Sequence, residues 1–523
     1  MTAFKLTYST MFDPPEEMHT SFEAALAEVR KGLGASHAMF IDGGDAEGIR
    51  TVSTYSPVDE RVELGRFAAG DASHVDQAVA AARRAFDPWR RTPARERVEL
   101  VRRVAALLEE RVYSIGAALA LEVGKNRMES LGEAQETADF FWGYAADFER
   151  NHFYDRPLPD DPLEGWKSHN RSVLKPHGVW AVIAPFNYPL ALAGGPAAAA
   201  LVTGNTVVLK GGSDTPWAGR LLAGCIRDAG MPPGVFNYVI GSGPVVGERL
   251  IHHPDLAGVT FTGSYDVGMG IFRAMAAGRW PRPCIVELGG KNPCIVTARG
   301  DLDRAATGIV RSAYGLSGQK CSALSRVYVE EAVADALIER LVPKVAALAV
   351  GDPTRREIYM GPVISRRAAA SFDDCCRRLE GGGARILAGG TRLAGGELEH
   401  GHFVAPTLAE APAEHPLFQE EMFLPILMVN RVRSLDEALE RTNGATLGLT
   451  AGCYGNEDEV AAFLDRIEAG VTYLNRPQGA TTGAWPGYQA FGGWKGSGST
   501  GKAIGSFYYL PQYLREQSQT WVE

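Results

Sequence analysis

From Gly178 onward, short apolar runs alternate with stretches of helical composition: VWAVIAP, the Ala-rich 191–201, NTVVLK, a helical pattern over 215–229, FNYVIG and GVTFTGS. Buried strands separated by helices of that length specify a parallel α/β sheet, because each parallel crossover needs a helix to return the chain. A second strand and helix series runs from about Cys294 to Ala451 and opens with NPCIV and SRVYV. It predicts a second α/β domain. Two cores suit a chain of 523 residues with 45% hydrophobic residues, since one core rarely grows past about 250 to 300 residues. Upstream, Val98, Val101, Val104, Leu108 and Val112 recur every three or four positions, which predicts an amphipathic helix between Pro93 and Val112 with its Arg cluster solvated.

Charge narrows the partners. The 53 basic and 62 acidic residues are interspersed, with no long block of either sign, so neither nucleic acid nor an anionic membrane is expected. No run approaches 18 apolar residues, and the N-terminus lacks the pattern of a secretory signal. Seven cysteines, an odd number including adjacent Cys375 and Cys376, do not form a disulfide framework, so a reducing cytoplasm is expected. The glycines of GSGPVVG, 241–247, are one residue longer in spacing than the dinucleotide fingerprint and read best as a tight strand-to-helix turn.

Six separated segments, APFNYPL (184–190), VVLK (207–210), FTGS (261–264), VELGGKNP (286–293), SGQKCSA (317–323) and EEMFLP (420–425), together resemble the aldehyde dehydrogenase superfamily. The resemblance implies an aldehyde dehydrogenase-like fold: a Rossmann-like NAD(P)-binding domain over 20–150 and 174–286, a catalytic α/β domain over 287–490, and a β-bridging flap over 151–173 and 494–523. It implies oxidation of a small-molecule aldehyde to a carboxylate, with Cys321 as nucleophile, Asn187 and the Cys321 N–H as oxyanion donors, and Glu287 as the base that activates water. A thiolate suits such chemistry because the thioester it leaves is activated toward hydrolysis. NAD or NADP would be held by Pro185, Lys210, Ser213, Gly263, Ser264, Leu288, Glu421 and Phe423, and no metal is implied. Relatives often place Glu at the third position after Lys210, where it repels a 2′-phosphate, whereas this chain reads Gly211, Gly212, Ser213, Asp214. The choice between NAD and NADP stays open.

EVGKN (122–126), Glu136 with Asp139 and Phe140, and the stretch from Asn475 to Gly493 are similar to one branch, the 1-pyrroline-5-carboxylate (L-glutamate γ-semialdehyde) dehydrogenases. That likeness implies a zwitterionic semialdehyde whose carboxylate is held by Ser322 and the N–H groups of Gly483 and Ala484, in a pocket lined by Glu136, Lys320 and Phe491. The chain carries roughly three extra residues between Arg476 and Thr482 relative to the branch, which leaves another semialdehyde or an aliphatic aldehyde open as substrate. A CoA-acylating enzyme usually lacks the hydrolytic Glu, and a structural or binding use of the fold needs no Cys, Asn and Glu together. An exposed strand edge in the flap implies a homodimer or an assembly of dimers.

Overall fold

The computed structural model describes residue 6 and residues 14–162, 164–480 and 486–523. Its first seven-stranded sheet has the order Cys284–Glu287, Leu256–Thr262, Val179–Ile183, Thr206–Lys210, Phe236–Val239, Met39–Ile41, Gly44–Ala46. The first five strands are parallel and the last two form an antiparallel edge. Val179–Ile183 and Thr206–Lys210 are buried along their whole length, which explains why they are continuous apolar runs and do not alternate. Helices Ala191–Val202 and Pro216–Asp228 are the expected crossovers.

Chain order reverses between Val179–Ile183 and Leu256–Thr262, since the strands that follow Val179–Ile183 go first to one side and then to the other. In an open parallel sheet such a reversal leaves a crevice at the carboxyl ends of the strands. Register makes those ends level: Ile183 pairs with both Lys210 and Phe261, and Thr262 with Glu287. Residues 288–291 then lead directly into Asn292–Val296, an interior strand of a second sheet with the order Arg385–Ala388, Thr407–Glu410, Ile426–Val432, Leu324–Glu330, Asn292–Val296, Thr450–Tyr454, Val471–Leu474. The carboxyl ends of the first sheet therefore face the amino ends of the second.

Asp155–Leu158, Ser168–Pro176 and Leu514–Val522 form a separate antiparallel sheet. Residues 494–513 lie elsewhere: Trp494–Lys495 pairs with Leu447–Gly448, and Tyr509 and Tyr513 are buried in the first core. Helix Ala94–Glu110 occupies the predicted segment and buries Val98, Val101, Val104 and Leu108. Its arginines are not all solvated, however. Arg97 is buried, because its guanidinium satisfies the Val202 and Thr92 carbonyls, at 3.2 and 2.6 Å, at the ends of neighbouring helices.

The EVGKN string is structural at every polar position. Glu122 accepts the Trp217 and Ala218 N–H groups, at 2.6 and 3.0 Å, at the start of helix Pro216–Asp228. Lys125 forms a fully buried ion pair with Glu133, and Asn126 caps helix Arg127–Arg150. The 241–247 segment turns from Phe236–Val239 into a short helix through a single π-type turn, Gly243–Gly247.

Candidate active site

A cavity of about 660 Å³ occupies the crevice between the two sheets. The loop after Val179–Ile183 contributes Pro185 and Asn187, the segment ending Thr206–Lys210 contributes Lys210 and Ser213, and the turn after Leu256–Thr262 contributes Gly263 and Ser264. Leu288 comes from the connection between the sheets, and Cys321, Glu421 and Phe423 from the second domain. The separated strings of the sequence thus meet on one surface.

Cys321 sits between the turn Gly315–Gly318 and strand Leu324–Glu330. That turn is unusual: Leu316, Ser317 and Gly318 have φ of 47, 54 and 68° in succession. Left-handed backbone at two non-glycine residues costs on the order of 1 to 3 kcal/mol each, so surrounding contacts must hold it. Ser317 Oγ donates to the Gly361 carbonyl at 2.7 Å, and Gln319 Oε1 accepts the Ile364 N–H at 2.8 Å. Asn292 Nδ2 donates to the carbonyls of Cys321 and Ala323, at 2.6 and 2.8 Å, while its Oδ1 accepts the Thr450 N–H. Gly290 must lack a side chain, because a Cβ there would overlap the Cys321 carbonyl and the Asn292 amide. Asn187, buried at 3% exposure, donates one amide N–H to the Gln319 carbonyl at 2.9 Å, which ties its loop to that of Cys321.

Glu287 ends the first sheet just behind this group. Burial pushes its carboxyl up to about 8, opposed by one hydrogen bond from the Gly493 N–H to Oε2 at 3.2 Å. Burial likewise pushes the Cys321 thiol up to about 12, with Glu421 and Glu287 adding to the rise, while the N–H groups of Ser322 and Cys321 pull it down. The site therefore holds a thiol within the electrostatic reach of a carboxyl that can take a proton near neutral pH.

The far end of the cavity fits a polar, anionic ligand. Lys210 is buried and, among the described residues, donates only to the Gly211 carbonyl, at 2.9 Å, so its ammonium has donors left for an occupant. Burial draws it down to about 8, and Asp214 opposes that fall. Helix Tyr265–Ala276 begins at Ser264 with no side chain capping its first N–H groups, an arrangement that suits a phosphate. Glu421 accepts the Gly290 N–H at 2.8 Å, and a Cβ on Gly289 would overlap its carboxylate. Phe423 is no core aromatic: it is half-buried on the cavity wall with φ 57° and meets Phe186 edge-on at 5.8 Å.

Residues expected around the substrate are more scattered. Glu136 is buried, not solvated, at 4% exposure, yet it lines neither this cavity nor the second large one, of about 660 Å³, that borders Tyr188 and Lys320. Lys320 is paired with Glu129. Ser322 is buried beside Cys321, and Phe491 packs in the first core through a bridge to Ile504. Gly483 and Ala484 lie outside the described residues. The sequence reading missed Asn292 and Glu129. Asn292 stands inside VELGGKNP, but nothing in its neighbours signals that its amide reaches segments distant in sequence. Among the described residues no group of three His, Cys, Asp or Glu could hold a metal ion, and no helix is long and apolar enough to cross a membrane.

The pattern described as Aldehyde dehydrogenase family matches residues 44–518. The chain is 36% identical over 501 residues to a 1-pyrroline-5-carboxylate dehydrogenase of Bacillus pumilus, covering 94% of each chain. It is 36% identical over 496 residues to 1-pyrroline-5-carboxylate dehydrogenase 2 of Bacillus subtilis, covering 93% of each. Among solved structures it resembles 1-pyrroline-5-carboxylate dehydrogenase from Thermus with bound NAD, with a TM-score of 0.92 and 32% identity over 99% of this chain and 98% of that one.

Proposed function

The chain belongs to the aldehyde dehydrogenase family, and from that premise we propose that it oxidises L-glutamate γ-semialdehyde to L-glutamate with NAD, through a thioester on Cys321. The observation that carries this reading is the meeting of Cys321, Asn187 and the Lys210 wall on one cavity, with Glu287 behind it, in a chain so similar over its whole length to 1-pyrroline-5-carboxylate dehydrogenases. Glutamate as product places the enzyme in proline breakdown, and a cytoplasmic location suits it.

Each residue has a definite task. The Cys321 sulfur adds to the aldehyde carbon, and its proton leaves to a base. Asn187 spends one N–H on Gln319, so its second remains for the oxyanion together with the Cys321 N–H. Each such donor stabilises the transition state by about 2.7 to 4 kcal/mol. A bound nicotinamide would supply the hydride acceptor that lets the carbonyl re-form as the thioester. Glu287 then takes a proton from water, the hydroxide adds to the thioester, and the carbon–sulfur bond breaks to return the thiolate and release the carboxylate. Lys210 and the Ser264 helix start would hold the cofactor's ribose and pyrophosphate, and Glu421 and Phe423 its nicotinamide end.

NADP is expected to support measurable turnover as well. Ser213 lines the cavity, whereas Asp214 does not, so the position that would repel a 2′-phosphate carries no charge. Ser213→Glu should lower kcat/KM with NADP by about tenfold or more while leaving NAD nearly unchanged. Complete indifference of the wild-type enzyme to NADP would show that another acid, such as cavity-lining Glu248, supplies the repulsion.

The substrate is tested by initial rates with glutamate semialdehyde and pentanal. If Ser322 and the anchor segment at 483–484 hold a carboxylate, pentanal leaves those donors unpaired, and kcat/KM should favour the semialdehyde by about 10²-fold or more. Ser322→Ala should raise KM for the semialdehyde alone. A preference for pentanal would defeat the substrate assignment and leave the thioester chemistry standing.

A two-fold assembly is the remaining part of the proposal. Strand Leu514–Val522 is an outer edge of the three-stranded sheet and exposes Trp521 and Val522, a surface that pairing with another copy would cover.

A further inference from the structure

Two acids on one face of helix Arg127–Arg150 reach the two loops on which the proposed chemistry depends. Glu129 pairs with Lys320, the residue before Cys321, and its other oxygen accepts the Leu316 N–H at 3.1 Å. Glu133 stands one turn further along, where side chains four apart lie on the same helix face. Its Oε1 accepts the N–H groups of Leu190 and Ala191, at 2.8 and 3.1 Å, three and four residues beyond Asn187 where its loop enters helix Ala191–Val202. Its Oε2 is held by Lys125 at 2.5 Å, and the Lys125 ammonium also lies 3.4 Å from the centre of the Tyr188 ring. The helix itself is anchored at its start, where the Asn126 side chain accepts the Met128 and Glu129 N–H groups and donates to the Tyr359 carbonyl.

We propose that Glu129 and Glu133 are positioning residues that set the separation between Cys321 and Asn187, each acting as an arm of fixed length from one rigid helix. The inference rests on the reading of Cys321 as nucleophile and Asn187 as oxyanion donor. Both loops need external support. The turn before Cys321 is left-handed at three successive residues, a backbone that side-chain-bearing residues keep only under constraint. The Asn187 side chain is hydrogen-bonded to the Gln319 carbonyl of the Cys321 loop, so a shift of either loop changes where both oxyanion donors lie. Lys320 is thereby given a task other than touching substrate: it carries the pull of Glu129 to the residue beside the nucleophile.

Arm length separates this proposal from a role in charge balance alone. Glu129→Asp and Glu133→Asp keep the charge and shorten the arm by one methylene, while Glu129→Gln keeps length and an acceptor oxygen. Single-turnover NADH formation is measured with glutamate semialdehyde and with pentanal, alongside the NAD dissociation constant and melting temperature of the same full-length preparations. The Asp variants are expected to lose about 10- to 100-fold in single-turnover rate, by the same factor for both aldehydes, with KM and NAD binding within about threefold of wild type. Wild-type rates accompanied only by a lower melting temperature would overturn the proposal, as would a KM rise confined to glutamate semialdehyde, which would return Lys320 to the substrate contacts. Should an Asp variant fail to fold, Glu129→Gln decides: a smaller, substrate-independent loss of rate supports positioning, and a wild-type rate overturns it. Turnover surviving in Cys321→Ala would instead mean that the underlying reading has failed.

Discussion

Cys321→Ala abolishes aldehyde oxidation, lowering turnover by about 10⁴-fold or more, while the protein still folds and binds its cofactor. The size of the effect follows from the absence of a substitute. The six other cysteines are free, but none lines the cavity that holds Asn187 and Lys210, and Cys294, Cys375, Cys376 and Cys453 are buried in the second domain. Nor does the substitution disturb what surrounds it. The bonds that fix this segment run to the Cys321 carbonyl from Asn292, not to the thiol, and alanine keeps that carbonyl. Loss of one sulfur on the cavity wall should cost about 1 kcal/mol of stability or less. NADH production in steady state, a fluorescence titration of NAD and a melting curve check the three parts together, and turnover close to wild type in the alanine variant would remove the thioester mechanism.

What could be read from the sequence tracks how local each signal is. The parallel sheets were readable because a strand buried on both faces is a continuous apolar run, as Val179–Ile183 and Thr206–Lys210 are. The cavity-facing positions were readable because a switch point places the residues just past strand ends on one surface, where APFNYPL, VVLK, FTGS and VELGGKNP sit, while SGQKCSA and EEMFLP precede strands of the second sheet that face them. Burial of polar residues was the hard part. Arg97, Glu133 and Glu136 stand in helices, and Lys125 between two of them, where composition suggests a solvated face, and only the carbonyls, amides and counter-charges of other segments make their burial tolerable. Asn292 shows the same limit from another side: its amide serves Cys321, Ala323 and Thr450, residues 29 to 158 positions away, and no periodicity encodes such a contact.

Glu287→Gln should separate the two halves of the reaction. Attack of the thiol and hydride loss need no water, whereas thioester hydrolysis needs a base close to the acyl carbon, and base catalysis of this kind contributes about 10² to 10⁴-fold. The variant is therefore expected to give a burst of NADH close to one equivalent per site, followed by a steady state slower by about that factor. Glutamine preserves the shape of a buried side chain and can still accept the Gly493 N–H, so the fold is retained. The pH profile gives a second readout. Burial raises the Glu287 carboxyl to about 8, so in wild type the active, ionised form is lost as pH falls below that value, and hydrolysis-limited kcat should fall about tenfold per pH unit on the acid side. In Glu287→Gln that acid limb should vanish, because no proton on residue 287 remains to be removed. Equal slowing of burst and steady state would show that Glu287 acts earlier, as the base that takes the Cys321 proton. That outcome has a physical basis in this site: burial and the nearby carboxylates keep the thiol protonated, so some group must accept its proton before carbon and sulfur can join. The burst amplitude of the variant, measured across pH, distinguishes a base needed for hydrolysis alone from one that serves both steps.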